Sequence, residues 1–366
     1  MNLHRIKVLR RVLKEQKIDA LLVTNFYNIL YLTDFKGLSP DEREAYGVVT
    51  RDKAYLLTDG RYLTEKLKVD SARFAVECRL IDYKNNLVTH LKKIAEEEKV
   101  KMFGFEAEDL KVAEYSSFKE KLEVKLVPTS KLVNSLRVIK DTTEIEAIRK
   151  ASNLTDQCLR EIVEKISVGV SEKEITHRIE FWIKRKGYDL AFEPIIVAVD
   201  KNSTIPHYDT RTGHGVVKKG SVILIDFGVK YKNYISDITR MFFVGTPTPE
   251  VVQTYNALLA VQEKTIAQIT RGARLQDIDA FCRKELEKNR LPNFPHGTGH
   301  GIGLEIHEEP RVSPHVTSQV TEGQVFTIEP GVYREGKWGM RIEDSVVIQN
   351  GKAQILTKFS KKLIVL

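Results

Sequence analysis

Sulfur is scarce in this chain. Its 366 residues include three cysteines and two tryptophans. Cys78, Cys158 and Cys282 lie far apart, with no Cys-x-x-Cys pair. Such spacing argues against a disulfide framework and for free thiols in a reducing cytosol. No apolar run approaches the roughly 20 residues that a membrane span requires. Arg10, Arg11, Lys14 and Lys17 interrupt the N-terminal segment where a signal peptide would need an apolar core. A cytoplasmic protein with no membrane partner is therefore expected. Repeats of short period and low-complexity tracts are absent as well. Basic residues are not gathered beside aromatics: the formal charge of +8 is spread along Lys7–Lys17, Lys92–Lys101 and Lys111–Lys125. That spread reads as solvated surface, and nucleic acid is not expected as a partner.

What is present describes an ordinary globular chain, 42% hydrophobic and 30% charged, long enough for two cores. Apolar residues at Leu3, Ile6, Leu9, Val12 and Leu13 have helical spacing. Strand-like runs follow at Ala20–Thr24, Gly47–Thr50, Ala54–Thr58 and Phe74–Leu80. A helical pattern over Asn86–Lys99 and a strand at Met102–Glu106 complete the alternation of a compact α/β domain. No glycine fingerprint follows a strand there, and His4 and His90 are isolated, so that domain is not expected to be catalytic. Pro128-Thr129-Ser130 reads as a junction, which divides the chain into 1–130 and 131–366. In the second part, Asp141-x-x-Glu144 and Ser171-x-x-Glu174 open helices as capping boxes. Strand pairs and two more helices, near Glu250–Arg271 and Leu275–Lys288, give an α+β pattern.

The chemistry is concentrated in that second part. Pro295–Glu308 holds His296, His300 and His307 among alternating glycines, a pattern that neither a core nor a turn requires. Ser221–Gly228 is an apolar strand bearing Asp226, and Tyr234–Val244 is another bearing Asp237. A hairpin closed at Tyr231-Lys232 sets those two carboxylates opposite each other. A second hairpin, centred on Gly336, sets Glu329 opposite Glu343. Like charges directly opposed on a sheet repel, and buried pairs need a cation or a shared proton. Four carboxylates and an imidazole form a hard shell suited to Mn²⁺, Co²⁺, Fe²⁺ or Zn²⁺. Five side chains exceed the needs of one open ion and suit two, as in two-metal hydrolases. Arg341 lies two residues before Glu343, hence on the same strand face, where it can support a ligating carboxylate. His177, His214 and His315 have no such context. Of the two tryptophans, Trp338 is expected to be the more exposed.

Asp226-Phe-Gly, Ser236-Asp237-Ile-Thr-Arg, His296-Gly-Thr-Gly-His300-Gly-Ile-Gly, Ile328-Glu329-Pro-Gly and Arg341-Ile-Glu343-Asp together resemble the pita-bread metallopeptidases. Within that family they resemble the Xaa-Pro branch, aminopeptidase P and prolidase. The resemblance covers essentially the whole chain, with the ligand motifs in the family's order. It implies a creatinase-like α/β N-terminal domain followed by an α+β pita-bread catalytic domain. It also implies metal-dependent hydrolysis of the bond between an N-terminal residue and proline, by a hydroxide bridging two divalent metals, Mn²⁺ or Co²⁺ before Zn²⁺ or Fe²⁺. In that scheme Asp226 chelates one ion, Asp237 and Glu343 bridge both, and His300 with Glu329 completes the second. His207 and His307 correspond to the substrate-side histidines, and His296 to a supporting residue of the same pocket. Arg311, four residues after His307, can meet the free carboxylate of a dipeptide, without deciding between dipeptidase and aminopeptidase action. A homodimer acting on Xaa-Pro peptides or dipeptides is implied too. One departure is the loop Val199–Thr204, which lacks the glycine usual there. The competing reading is a catalytically silent pita-bread protein that binds a peptide or nucleic acid. Creatinase, which works without metal, and methionine aminopeptidase, which lacks a full N-terminal domain, fit the residues less well.

Overall fold

The computed structural model describes residues 2–72 and 75–366. Two compact units divide the chain, Met1–Arg137 and Val138–Leu366. The junction anticipated near residue 130 precedes one short helix, Leu132–Arg137, that belongs to the first unit.

The first unit is a six-stranded mixed sheet. Its strands run in the order Val76–Ile81, Ala54–Asp59, Ala45–Thr50, Ala20–Val23, Met102–Glu106, Lys125–Thr129. Ala20–Val23 is buried throughout, which is why it reads as a continuous apolar run rather than an alternating one. The amphipathic N-terminal helix spans Asn2–Glu15. The strand anticipated from Phe74 starts at Val76; its first residue lies outside the described residues. Phe26–Thr33 is a helix whose aromatic composition hides it from propensity arguments. Asn25 starts it by accepting a hydrogen bond from the Asn28 amide, an N-cap satisfying one orphan donor.

The second unit is α+β. The helix Thr142–Val163 opens on the capping box at Asp141 and Glu144, and Leu275–Lys288 falls where periodicity puts it. Ile223, Ile225 and Phe227 pack against Leu154, Cys158, Ile175 and Ile179 of the first two helices. Val222 and Leu224, on the opposite strand face, pack with Val251, Tyr255 and Leu258. Asp226 continues that second row, because side chains alternate with period 2. Trp338 joins the same core at 8% exposure and Trp182 is buried at 6%, so Trp338 is the more exposed tryptophan, by a small margin. The turn that carries it folds inward, and Arg334 covers its ring.

The first hairpin differs from its anticipated register. Tyr231 pairs with Tyr234, and the turn residues Lys232 and Asn233 both have positive φ, 48° and 68°. Asparagine tolerates this left-handed conformation and favours the turn one residue later. Moving the turn by one shifts every partner by two. Asp226 therefore faces Thr239, while Asp237 lies just before the strand Ile238–Phe243. The second hairpin has the anticipated register. Gly331 pairs with Arg341 and Ile328 with Asp344, so Glu329 and Glu343 are opposed between two paired stretches.

Gly228 makes the first crossing close. A Cβ there would lie 1.8 Å from the Ser236 carbonyl oxygen and 2.8 Å from the Ala191 Cβ. Among the described residues no helix is long and apolar enough to cross a membrane. Gly228→Ala is expected to destabilise the second unit by about 1–3 kcal/mol, the usual cost of overpacking. Urea unfolding checks it: the midpoint falls, whereas an unchanged midpoint would mean the two strands separate there without cost.

Candidate metal centre

Asp226, Asp237, His300, Glu329 and Glu343 line one cleft of about 680 Å³ in the second unit. Ligand atoms of Asp237, His300 and Glu343 lie within 4.8 Å of one another. His300 Nε2 is 3.6 Å from Asp237 Oδ2 and 3.4 Å from Glu329 Oε1. Three candidate ligands sit near the end of an apolar ladder: Asp226 is the last residue but one of Val222–Phe227, Glu329 follows Val325–Ile328, and Glu343 precedes Asp344–Gln349. His300 is held on Gly299–Gly301, where the register slips between His300 and Gly301.

Electrostatics define the site. Burial, and then Glu343, Asp226 and Glu329, hold the Asp237 carboxyl well above the usual carboxylate range. Burial and then Glu329 and Asp226 do the same to Glu343. Burial pushes Glu329 up to about 7, with Asp226 adding to it and Arg341 opposing. Burial holds His300 down to about 3, with His307 adding to the effect, so its imidazole is neutral and able to ligate. Asp226 Oδ1, Asp237 Oδ1 and Glu343 Oε1 are buried and have no hydrogen-bond partner. Buried polar atoms are normally satisfied, and three orphaned carboxylate oxygens beside a neutral imidazole are what divalent cations would satisfy.

The remaining carboxylate oxygens are oriented by neighbours. Arg341 Nη2 donates to Asp226 Oδ2 at 2.6 Å, and its Nε lies 3.9 Å from Glu329 Oε2. Thr239 Oγ1 donates to Glu343 Oε2 at 2.7 Å and accepts from Arg341 Nε at 3.1 Å. Tyr333 accepts from Arg341 Nη1 at 3.0 Å and meets His296 Nε2 at 2.9 Å. His296 Nδ1 lies 2.8 Å from the Gly297 carbonyl, so both ring nitrogens are engaged and neither is free for substrate. Sequence reasoning missed Thr239 and Tyr333. Thr239 is the Cα partner of Asp226 and could have been found from the correct hairpin register.

The other anticipated residues surround the same space. The rings of His207 and His307 are stacked at 6.2 Å, and His307 meets His300 edge-on at 4.4 Å. Arg311 is the Cα partner of His300, which puts both side chains on one sheet face, and it lines the cleft. Glu308, directly after His307, forms a buried ion pair with Lys140 at 2.8 Å. The glycine-free loop folds as a turn of 3₁₀ helix, Asp200–Thr204. Asp200 itself takes the positive φ of 53° that a glycine would ease. Its carboxylate accepts from the Val222 amide at 2.9 Å and from Ser221 Oγ at 3.1 Å.

Residues 146–350 match metallopeptidase family M24, and residues 5–139 match the creatinase/prolidase N-terminal domain. A relative from Bacillus subtilis (strain 168), described as the uncharacterized peptidase YqhT, is 32% identical over 364 residues, covering 99% of this chain and 100% of that protein. The solved Xaa-Pro dipeptidase from Bacillus anthracis superposes with a TM-score of 0.92 at 32% identity, covering 100% of both chains. The X-Pro aminopeptidase from Thermotoga maritima MSB8 gives 0.87 at 31%, covering 99% of both. The chain belongs to metallopeptidase family M24 and is an enzyme, with a creatinase-type N-terminal domain and a pita-bread catalytic domain.

Removing metal has a consequence with a definite sign. Without metal, the raised carboxyls keep protons that the unfolded chain would release. That stabilisation is complete below the ordinary carboxylate range and is lost as pH rises through about 7 for Glu329. Metal replaces those protons. Saturating Mn²⁺ is therefore expected to raise the melting temperature of chelator-stripped protein more at pH 8 than at pH 5.5. At a hundredfold excess over Kd the stabilisation is about 2.7 kcal/mol per site. Equal increments at the two pH values in a thermal-shift titration would contradict the assignment.

Proposed function

We propose that this enzyme hydrolyses the bond between an N-terminal residue and a following proline. Asp226, Asp237, His300, Glu329 and Glu343 would hold two divalent ions. The observation that carries the reading is the trio of orphaned carboxylate oxygens beside neutral His300. The names of the solved relatives, an Xaa-Pro dipeptidase and an X-Pro aminopeptidase, supply the substrate class. When bound, such ions would lower the pKa of a bound water and polarise a carbonyl, the chemistry that hydrolysis at neutral pH requires. The oxygen-rich shell favours Mn²⁺ or Co²⁺, with Zn²⁺ or Fe²⁺ next.

The chain's own groups do the rest. Arg341 and Thr239 each hold one oxygen of Asp226 and Glu343, which would leave the second oxygens to a metal. His207 and His307 stand on the substrate side, where they stabilise charge developing on the carbonyl oxygen or carry a proton to the leaving proline nitrogen. His296 supports this arrangement through Tyr333 rather than by exchanging protons with substrate. Arg311 meets the free carboxylate of a dipeptide, because it shares the sheet face of His300, and guanidinium matches carboxylate. The same reading puts the enzyme in the cytoplasm, where its free thiols stay reduced, and makes it a homodimer.

Chelator-stripped enzyme is expected to be silent on Xaa-Pro dipeptides and on Xaa-Pro tripeptides, and to recover cleavage with Mn²⁺ or Co²⁺. Glu343→Ala abolishes turnover while the circular dichroism spectrum persists; full activity in that variant refutes the two-metal assignment. Metal binding with no hydrolysis of either substrate would instead favour a binding protein. For Arg311→Met, KM for the dipeptide is expected to rise on the order of tenfold to a hundredfold, the worth of a hydrogen bond to a charged group. KM for the tripeptide stays within about twofold under the same assignment. An equal rise for both substrates would remove Arg311 from carboxylate recognition.

A further inference from the structure

The cleft is lined in part by a loop, residues 199–215, that carries His207 and has no regular structure beyond two short 3₁₀ helices, Asp200–Thr204 and Thr210–Thr212. One end of that loop leaves the strand Ile196–Val199. Its other end returns beside Ser171, which forms a bridge with Val216. A loop of this kind needs its backbone polar groups satisfied if it is to hold a side chain in one place.

A single carboxylate does this. Glu172 is the first residue of the helix Glu172–Arg185 and is 0% exposed. Its Oε1 accepts from the Val199 amide at 2.6 Å and from Asn202 Nδ2 at 2.9 Å. Its Oε2 accepts from the Tyr208 hydroxyl at 3.1 Å and from the Gly215 amide at 2.8 Å. Both ends and the middle of the loop thus converge on one side chain. The approach is so close that a Cβ on Gly215 would lie 2.3 Å from Glu172 Cδ. Burying a carboxylate is costly unless donors saturate it. Here the loop supplies them, and the helix N-terminus adds a favourable field.

The second fastening runs to the metal centre. Arg341, which holds Asp226, also donates from Nη1 to the Pro206 carbonyl at 3.3 Å. His207 is therefore flanked by two anchors: Pro206 tied to Arg341 and Tyr208 tied to Glu172. His207 itself is exposed and faces the cleft. Its placement relative to the metal ligands is left to these neighbours.

We propose that Glu172 is a positioning residue for the reaction: through Tyr208 and the ends of the 199–215 loop it holds His207 where substrate meets the metal centre. This rests on the role given to His207 in the proposed function. Tyr208→Phe removes one hydroxyl from the carboxylate and leaves the ring in the core, so it tests the idea even if Glu172→Gln fails to fold.

Tyr208→Phe is expected to lower kcat for an Xaa-Pro dipeptide on the order of tenfold to a hundredfold, the cost of a small misplacement of a reacting group. KM and Mn²⁺ affinity change little. In a His207→Ala background the same substitution costs nothing further. Amide exchange of 199–215 quickens in Tyr208→Phe, while that of the ligand-bearing strands does not. If His207→Ala is impaired but the two losses multiply, Glu172 does not act through His207 and the inference fails alone. If His207→Ala is fully active, the reading of His207 falls and takes this one with it. Unchanged loop exchange in Tyr208→Phe overturns the inference whatever the enzyme cleaves.

Discussion

Four carboxyl groups share one buried space, and their mutual repulsion is the constraint from which the catalytic unit is built. Two like charges 4 Å apart repel by about 4 kcal/mol even at an effective dielectric of 20, before any loss of hydration. Arg341 touches Asp226 and approaches Glu329, but one guanidinium cannot balance four carboxylates. The group keeps its charge only with further cations, and otherwise takes up protons, as the raised Asp237, Glu329 and Glu343 carboxyls do. Metal binding and folding are therefore one thermodynamic problem here.

The sheets make that congestion possible. Apolar ladders packed against helices hold the strands in place, and the candidate ligands occur near the ladder ends. Interrupted pairing serves the same purpose. Instead of bonding to each other, the Glu329 amide donates to the Thr298 carbonyl and the Glu343 amide to the Thr239 carbonyl. Each opposed glutamate is thereby tied to a different ligand-bearing segment, one next to His300 and one opposite Asp226. A site assembled this way is preorganised by backbone, and Thr239 and Tyr333 set only the final angles.

Much of this was legible in the sequence because charge at the centre of an apolar run is costly and must have a reason. The second hairpin could be counted from Gly336 alone, and Ile328 opposite Asp344 confirms the register. The first could not, because the turn at Lys232-Asn233 requires two consecutive residues at positive φ and lysine gives no sign of it. The helix Phe26–Thr33 was hidden by aromatic residues of strand-like propensity. Glu172 was hidden for another reason. As the first residue after the N-cap Ser171 it looks like a helix-terminal surface acid, and only the tertiary path of the 199–215 loop reveals its partners.

Glu343 and Asp344 show how one strand separates chemistry from architecture. They are adjacent and both at most 1% exposed, yet they face opposite ways, as alternation demands. Burial alone would raise both carboxyls. Asp344 is instead held below the usual range, because Arg240 Nη2 and Lys361 Nζ each lie 2.7 Å from it. Gln262 and Thr357 add hydrogen bonds at 2.9 and 2.8 Å. Its charge is neutralised by protein groups, and it ties the strand to the helix Pro249–Ala267 and to the C-terminal segment. Glu343 has Thr239 on one oxygen and nothing on the other. A carboxylate satisfied by the fold has no affinity left for a metal, whereas one left unsatisfied is held ready for it. The same strand supplies the rigidity on one face and the reactive deficit on the other.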